Sequence, residues 1–309
     1  MRNEDLLRWC SVPVDQLVGH PELRVPVRVV ADQGMGELMA RELVDAIVGA
    51  SSEGRVFRAI IPCGPNSWYT PFAQIVNAER VSLEYVEVFH MDECLDWEGR
   101  ELPRSHPYSF RGVMEESFYA PIDPALAIPE ARRHWLSPDT VAEVEAAIDA
   151  APIDLVYGGW GQDGHVAYNQ ARRNPYSALS VDALRDSTVR IQDNNPDTII
   201  ALAQRVLGGA YQFVPPMSVT LGMRQILAAK RIRLFSDTGE WKQTALRVGL
   251  FSEPDVDYPI TLLQGHPDVL LTATVRTADH PISRHPEWEL DRPSSRRDAR
   301  ERRVEPSAR

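Results

Sequence analysis

The sequence predicts an α/β fold: a doubly wound, mostly parallel sheet with helices on both faces, Rossmann-like, in a single domain. Two observations carry this expectation. Short apolar runs alternate along the chain with longer segments whose apolar residues recur at helical spacing. One run, IDLVYGG (residues 153–159), is apolar almost throughout, as a central parallel strand buried on both faces must be. A length of 309 residues allows one large domain or two smaller ones, and either can bury a sizeable core. No sequence repeat recurs at a fixed period.

The elements follow in order. VPVRVVAD (25–32) reads as a strand, and residues 34–50 as a helix with Leu38, Met39, Leu43, Ala46, Ile47 and Ala50 on one face. Next come RVFRAIIPCG (55–64) as strand, TPFAQIVNAER (70–80) as helix, LEYVEVFHMDE (83–93) as strand and SFRGVMEESFY (109–119) as helix. PDTVAEVEAAIDA (138–150) is helical with Ser137 or Asp139 near its cap, and leads into the strand 153–159. The second half repeats the theme: helix 196–209, strand RIRLFSD (231–237), helix GEWKQTALRVGLF (239–251) and a last strand PDVLLTATV (267–275). The domain is expected over residues 1–284. Residues 285–309 hold seven Arg and six acidic residues without aliphatic periodicity, which predicts a disordered, solvated tail.

Charge and cysteine usage narrow the function. With 33 basic and 44 acidic residues the net charge is −11, which disfavours a nucleic-acid or anionic-membrane surface. The start MRNEDLLRWC lacks a signal-peptide core, and no segment approaches the roughly 18 apolar residues of a membrane span, so a cytoplasmic protein is expected. Cys10, Cys63 and Cys94 lie far apart without CxxC spacing, and are read as reduced thiols rather than zinc ligands or disulfides.

Open parallel sheets bind ligands at the carboxyl ends of their strands, and three such ends carry unusual residues. IIPCGPNSWYTP (60–71) breaks at Pro62 and Gly64, passes Asn66 and Ser67, and enters a helix; such a turn can offer backbone N–H groups to a phosphate. It matches no P-loop, and an ordinary strand-to-helix turn explains it as well. GMGELM (34–39) has Met39 where a dinucleotide fingerprint needs glycine, so that reading is rejected. FHMDE (89–93) sets Asp92 and Glu93 at an apolar strand's end, where Asp92 can act as a proton-transfer base; caps and surface ion pairs are the plainer explanation of such pairs. VYGGWGQDGHVAYNQ (156–170) is the most informative. Gly158, Gly159 and Gly161 let the backbone approach a ligand, Gly164 frees the turn between Asp163 and His165, and an Asp beside a His makes an acid/base pair. Lys242, near a helix start, is either solvated or a point charge for phosphate.

Taken in series, these stretches resemble the glucosamine-6-phosphate deaminase (isomerase) family over residues 25–280. FHMDE is similar to the family's strand ending in Met-Asp-Glu, and LPRSHPYSF (102–110) to its Leu-Pro…His-Pro…Ser segment. GGWGQDGHVAYN (158–169) is similar to its Gly-Gly-x-Gly-x-Asp-Gly-His-x-Ala-Phe-Asn signature, and VPPMSVTLGMRQILAAKRI (214–232) to the stretch before its late strand. The 6-phosphogluconolactonases of the wider superfamily share the Asp-Gly-His turn but continue x-Ala-Ser-Leu-Phe-Pro where this chain has VAYNQ.

The resemblance implies a phosphorylated amino sugar as substrate. His165, held by Asp163, would open the pyranose ring, and Asp92 would carry a proton between C2 and C1, releasing ketose phosphate and ammonia. Neither metal nor organic cofactor is implied. Substrate contacts would come from Gly64, Asn66, Ser67, Glu93, Gly164, Asn169, Gln170 and Lys242, with the phosphate between the loop 64–67 and Lys242. A homo-oligomer is left open. Two departures stand out. Gln170 occupies the place of the family's Glu and cannot ionise, and CGPNSWYTP replaces Thr-Gly-Gly-Thr-Pro, so that Trp68 and Tyr69 are expected to reshape the sugar pocket. A lactone hydrolase and a non-catalytic sugar-phosphate sensor are the alternatives.

Overall fold

A computed structural model describes residues 1–170, 176 and 178–290. Seven strands form one parallel sheet: β1 (Val27–Val30), β2 (Phe57–Ile61), β3 (Val86–His90), β5 (Arg133–His134), β6 (Leu155–Gly158), β9 (Ile232–Ser236) and β10 (Val269–Thr274), in the order β1-β10-β9-β6-β2-β3-β5. Every residue of β2 and β6 is buried, as the near-continuous apolar runs require of strands covered on both faces.

The two coverings are separate cores. On one face, Met39, Leu43 and Ile47 of the helix Met35–Ser52 meet Phe72 and Val76 of the helix Tyr69–Glu79 over Phe57 and Ile61. On the other, Leu246 and Leu250 of the helix Gln243–Phe251 pack with Trp160, Ile232 and Leu271. These are the helix layers of a doubly wound sheet.

The strand order reverses between β2 and β6. From β2 the chain builds outward through β3 to β5; from β6 it builds the other way through β9 to β10. The loops that leave these two strands therefore diverge, opening a crevice at their carboxyl ends.

The segment 83–93 is not one strand. At Met91 the chain changes sheets: its N–H donates to the Ile61 carbonyl (3.0 Å) and its carbonyl accepts from Leu221 N (3.0 Å). Asp92–Leu95 (β4) then pairs antiparallel with β8 (Met217–Thr220), which pairs with β7 (Arg190–Asp193) in a small second sheet. Neither β7, β8 nor β5 shows an apolar pattern. β8 buries Ser218 and Thr220 completely, and β7, reading RIQD, has one apolar residue. The segment 109–119 is helical as expected, but only Phe110–Met114 is α; Glu115–Tyr119 is a π turn.

Of the expected tail, residues 285–290 form a turn with Trp288 N donating to His285 O (3.0 Å), and 291–309 lie outside the described residues. No helix among the described residues is long and apolar enough to cross a membrane.

Candidate active site

A cavity of about 310 Å³ opens where the β2 and β6 loops diverge, and His165, Asp92 and Lys242 all line it. The β6 loop folds His165 back on itself. Gly161 N donates to His165 O (3.0 Å) and Gly164 N to Gly161 O (3.1 Å), closing a turn that needs Gly164 at φ 71°. A Cβ at Gly161 would stand 2.1 Å from His165 Cε1, so only glycine lets the imidazole lie against this backbone.

Asp163 stands behind the ring. Its Oδ1 is 2.6 Å from His165 Nδ1, and its Oδ2 accepts from Asn195 Nδ2 at 3.4 Å. Burial works to raise the Asp163 pKa, but the adjacent His165, by charge and hydrogen bonds, and Asn195 outweigh it and hold it at about 2. Asp163 is therefore an anion that accepts a hydrogen bond from His165 Nδ1–H and leaves Nε2 as the ring's working nitrogen.

Gln170 approaches the same ring from another side. Asn195 N donates to its Oε1 (2.8 Å), which fixes the amide's orientation and turns Nε2 toward Thr198 Oγ1 (2.6 Å) and His165 Nδ1 (3.0 Å). Since Nδ1 keeps its proton and donates it to Asp163, a donor faces a donor. The amide thus orients its neighbours without the negative charge that would favour an imidazolium.

Asp92 sits at the crossing between the two sheets, fixed by the main-chain bonds of Met91. Burial, and then repulsion from Glu93, raise its pKa from 3.8 to about 8; among the described residues no group hydrogen-bonds its carboxylate. A carboxyl poised near neutrality in a cavity suits a proton shuttle.

The opposite end is cationic. Lys242 closes the short helix Glu240–Lys242, and burial first, then the nearby Arg205, lower its pKa to about 7 against the opposing pull of Asp237. Tyr168 stacks between His165 and Phe110, with ring centroids 5.6 and 6.1 Å away, and makes one wall apolar. Among the described residues no group of three or more His, Cys, Asp or Glu side chains could hold a metal ion.

Comparison with known proteins gives this geometry a family. The chain is 34% identical over 221 residues to glucosamine-6-phosphate deaminase of Caenorhabditis elegans, covering 69% of this chain and 75% of the relative. It is 31% identical over 252 residues to glucosamine-6-phosphate deaminase of Aeromonas salmonicida, covering 79% and 86%. The chain belongs to the glucosamine-6-phosphate deaminase family. No protein-family model matches it. Among solved structures, a monomeric glucosamine-6-phosphate deaminase superposes with a TM-score of 0.68 at 21% identity, over 82% of this chain and 98% of that one. The 6-phosphogluconolactonase of Thermotoga maritima gives 0.57 at 17% identity, over 80% and 98%. These two likenesses show the fold alone, an α/β sheet.

Not all the residues singled out from the sequence reach the cavity. Gly64 and Asn66 line it with Asp92, His165 and Lys242, while Asp163 and Gln170 support His165 from behind. Glu93 does not line it: its carboxylate accepts from Cys94 N (2.9 Å), Phe110 N (2.8 Å) and Arg111 N (2.7 Å), pinning the helix start beside β4. Asn169 is buried, with Nδ2 donating to Val166 O and Leu221 O, both at 2.9 Å, and Gly164 serves the turn. Ser67 is exposed and sets its carbonyl against Gly36. Trp68 and Tyr69 do not line the cavity: Trp68 packs with Phe72, Phe118 and Tyr157 beneath the loop, and both hold cavity-lining prolines, Trp68 Nε1 donating to Pro65 O (2.9 Å) and the Tyr69 hydroxyl to Pro62 O (3.0 Å).

Sequence reasoning missed Arg205, Trp241, Tyr108, Phe110 and Tyr168, all cavity-lining. Tyr108 and Phe110 lie in the segment 102–110 and Tyr168 in 158–169, both similar to family motifs, so these three were readable. Arg205 was not, since an arginine late in an amphipathic helix looks solvated until the fold brings it near Lys242.

Proposed function

We propose that this chain converts glucosamine 6-phosphate and water into fructose 6-phosphate and ammonia. The observation that carries the reading is the pairing, in one cavity, of an Asp163-anchored His165 and a high-pKa Asp92 with a cationic end made by Lys242 and Arg205. The phosphate would lie at that cationic end, near the turn of Gly64 and Asn66.

His165 Nε2 is the group to return a proton to the ring oxygen as the anomeric hydroxyl loses its own, giving the open aldehyde. Asp92, ionised, takes the proton from C2 and returns it to C1, while the substrate's ammonium gives up one proton to the C1 oxygen, leaving a hydroxyl at C1 and an iminium at C2. Water adds there, ammonia departs with a proton, and the ketone remains. Asp163 stays ionised throughout and keeps the imidazole oriented. The Tyr168 and Phe110 wall restricts water around the reacting carbons. Free thiols at Cys10, Cys63 and Cys94 and the acidic charge suit a cytoplasmic enzyme.

The test is a panel of phosphosugars with ammonia and ketose measured separately. The reading expects both products in equal amounts from glucosamine 6-phosphate. Ketose without ammonia would mean that Gln170 has left an isomerase, and neither product from any sugar would mean a sensor.

A further inference from the structure

Trp241 takes no part in the proposed proton transfers, yet it touches both cations at the phosphate end. Its ring centroid is 4.3 Å from Arg205 Cζ and 4.7 Å from Lys242 Nζ. The cations arrive from different elements, Arg205 from the helix Pro196–Val206 and Lys242 from the short helix Glu240–Lys242. Two like charges so placed repel; the Asp237 charge draws on both, yet among the described residues neither cation forms an ion pair with it.

An aromatic face is suited to this task. A carboxylate would hold both cations but neutralise them, whereas the ring quadrupole attracts a cation and leaves the net positive charge available to a ligand. The indole is itself anchored, with Nε1 donating to Thr238 O at 3.0 Å, and Thr238, Trp241, Arg205 and Lys242 line the same cavity.

We propose that Trp241 is a positioning residue for the anionic end of the substrate, a platform that keeps Arg205 and Lys242 converged with donors free for a phosphate dianion. This rests on the phosphate reading above and extends it to a residue whose side chain cannot bind phosphate by charge.

The test uses the full chain and inorganic phosphate as probe, titrated by calorimetry, with Trp241→Leu removing the ring and Trp241→Phe keeping one. Trp241→Leu should weaken phosphate binding about tenfold, equivalent to about 1.4 kcal/mol, and Trp241→Phe should restore most of it. With the phosphosugar, the Leu variant should raise KM in proportion while kcat stays within about twofold. Unchanged or tighter phosphate binding in Trp241→Leu, with Lys242→Ala losing it, overturns the platform and leaves the phosphate reading standing. Phosphate binding that ignores Lys242→Ala as well overturns both.

Discussion

Replacing Asp92 by Asn is expected to stabilise the folded protein while slowing turnover at least about 10²-fold, and the stabilisation should grow with pH. The Asp92 carboxyl moves from 3.8 to about 8 on folding, first through burial and then through Glu93. A group that holds its proton more tightly when folded contributes its stability in full below the unfolded value and loses it as pH rises through the folded one. The window is therefore 3.8 to about 8, and within it each pH unit removes at most about 1.4 kcal/mol. Water reaching Asp92 through the cavity reduces that limit. We expect the advantage of Asp92→Asn, which carries a neutral amide, to widen by about 1–3 kcal/mol between about pH 5 and about pH 8. Urea unfolding followed by circular dichroism, with an unchanged m value, measures it. The same ionisation governs catalysis, so wild-type kcat at saturating phosphosugar, where the bound phosphate keeps Lys242 charged, should rise with pH toward about 8. An Asn variant whose stability gap is flat across the window, or that is the less stable protein at its alkaline end, would refute the reasoning.

Other outcomes follow from the same geometry. His165→Ala should cut turnover at least about 10²-fold with an unchanged far-UV spectrum, because it removes the group that works at the ring oxygen. Lys242→Ala should raise KM for a phosphosugar by about tenfold or more, one charge-assisted contact being worth roughly 1.5–3 kcal/mol. With the free lysine held at about 7, phosphate binding above that pH should take up a proton, visible as a buffer-dependent heat. Gln170→Glu should favour protonated His165 and increase ammonia release from glucosamine 6-phosphate, since Asn195 N and the Thr198 hydroxyl remain to serve the new carboxylate. Reduced activity of that variant on a good substrate of the parent would assign Gln170 to a distinct specificity.

The parallel sheet was legible because its strands obey simple rules: β2 and β6 are buried on both faces and read as apolar runs. The small antiparallel sheet was not. Ser218 and Thr220 are buried yet polar, and the break at Met91 is set by partners at Ile61 and Leu221, one on each side of the chain's path. The site divided in the same way. Asp163, Gly164 and His165 form a local turn, and local sequence carries such geometry. Glu93 looked like a second acid beside Asp92, but alternation along β4 turns it away, toward its neighbour Cys94 N and the N–H groups of Phe110 and Arg111 at a helix start 17 and 18 residues onward. Trp68 and Tyr69 are expected at the pocket because CGPNSWYTP replaces the family's Thr-Gly-Gly-Thr-Pro, whereas their bulk makes them core. The cationic end depends on Arg205 and Lys242 meeting across an indole, which no spacing along the chain encodes.

The most direct measurement is a nitrogen-resolved one: incubate wild-type protein, Asp92→Asn and His165→Ala with ¹⁵N-labelled glucosamine 6-phosphate and follow ammonium and sugar phosphate together by NMR. The account predicts ¹⁵N-ammonium and fructose 6-phosphate appearing in equal amounts with the wild type, and at least about 10²-fold more slowly with either variant. Label that stays on the sugar with the wild type, or ammonium released as fast by either variant, would contradict it.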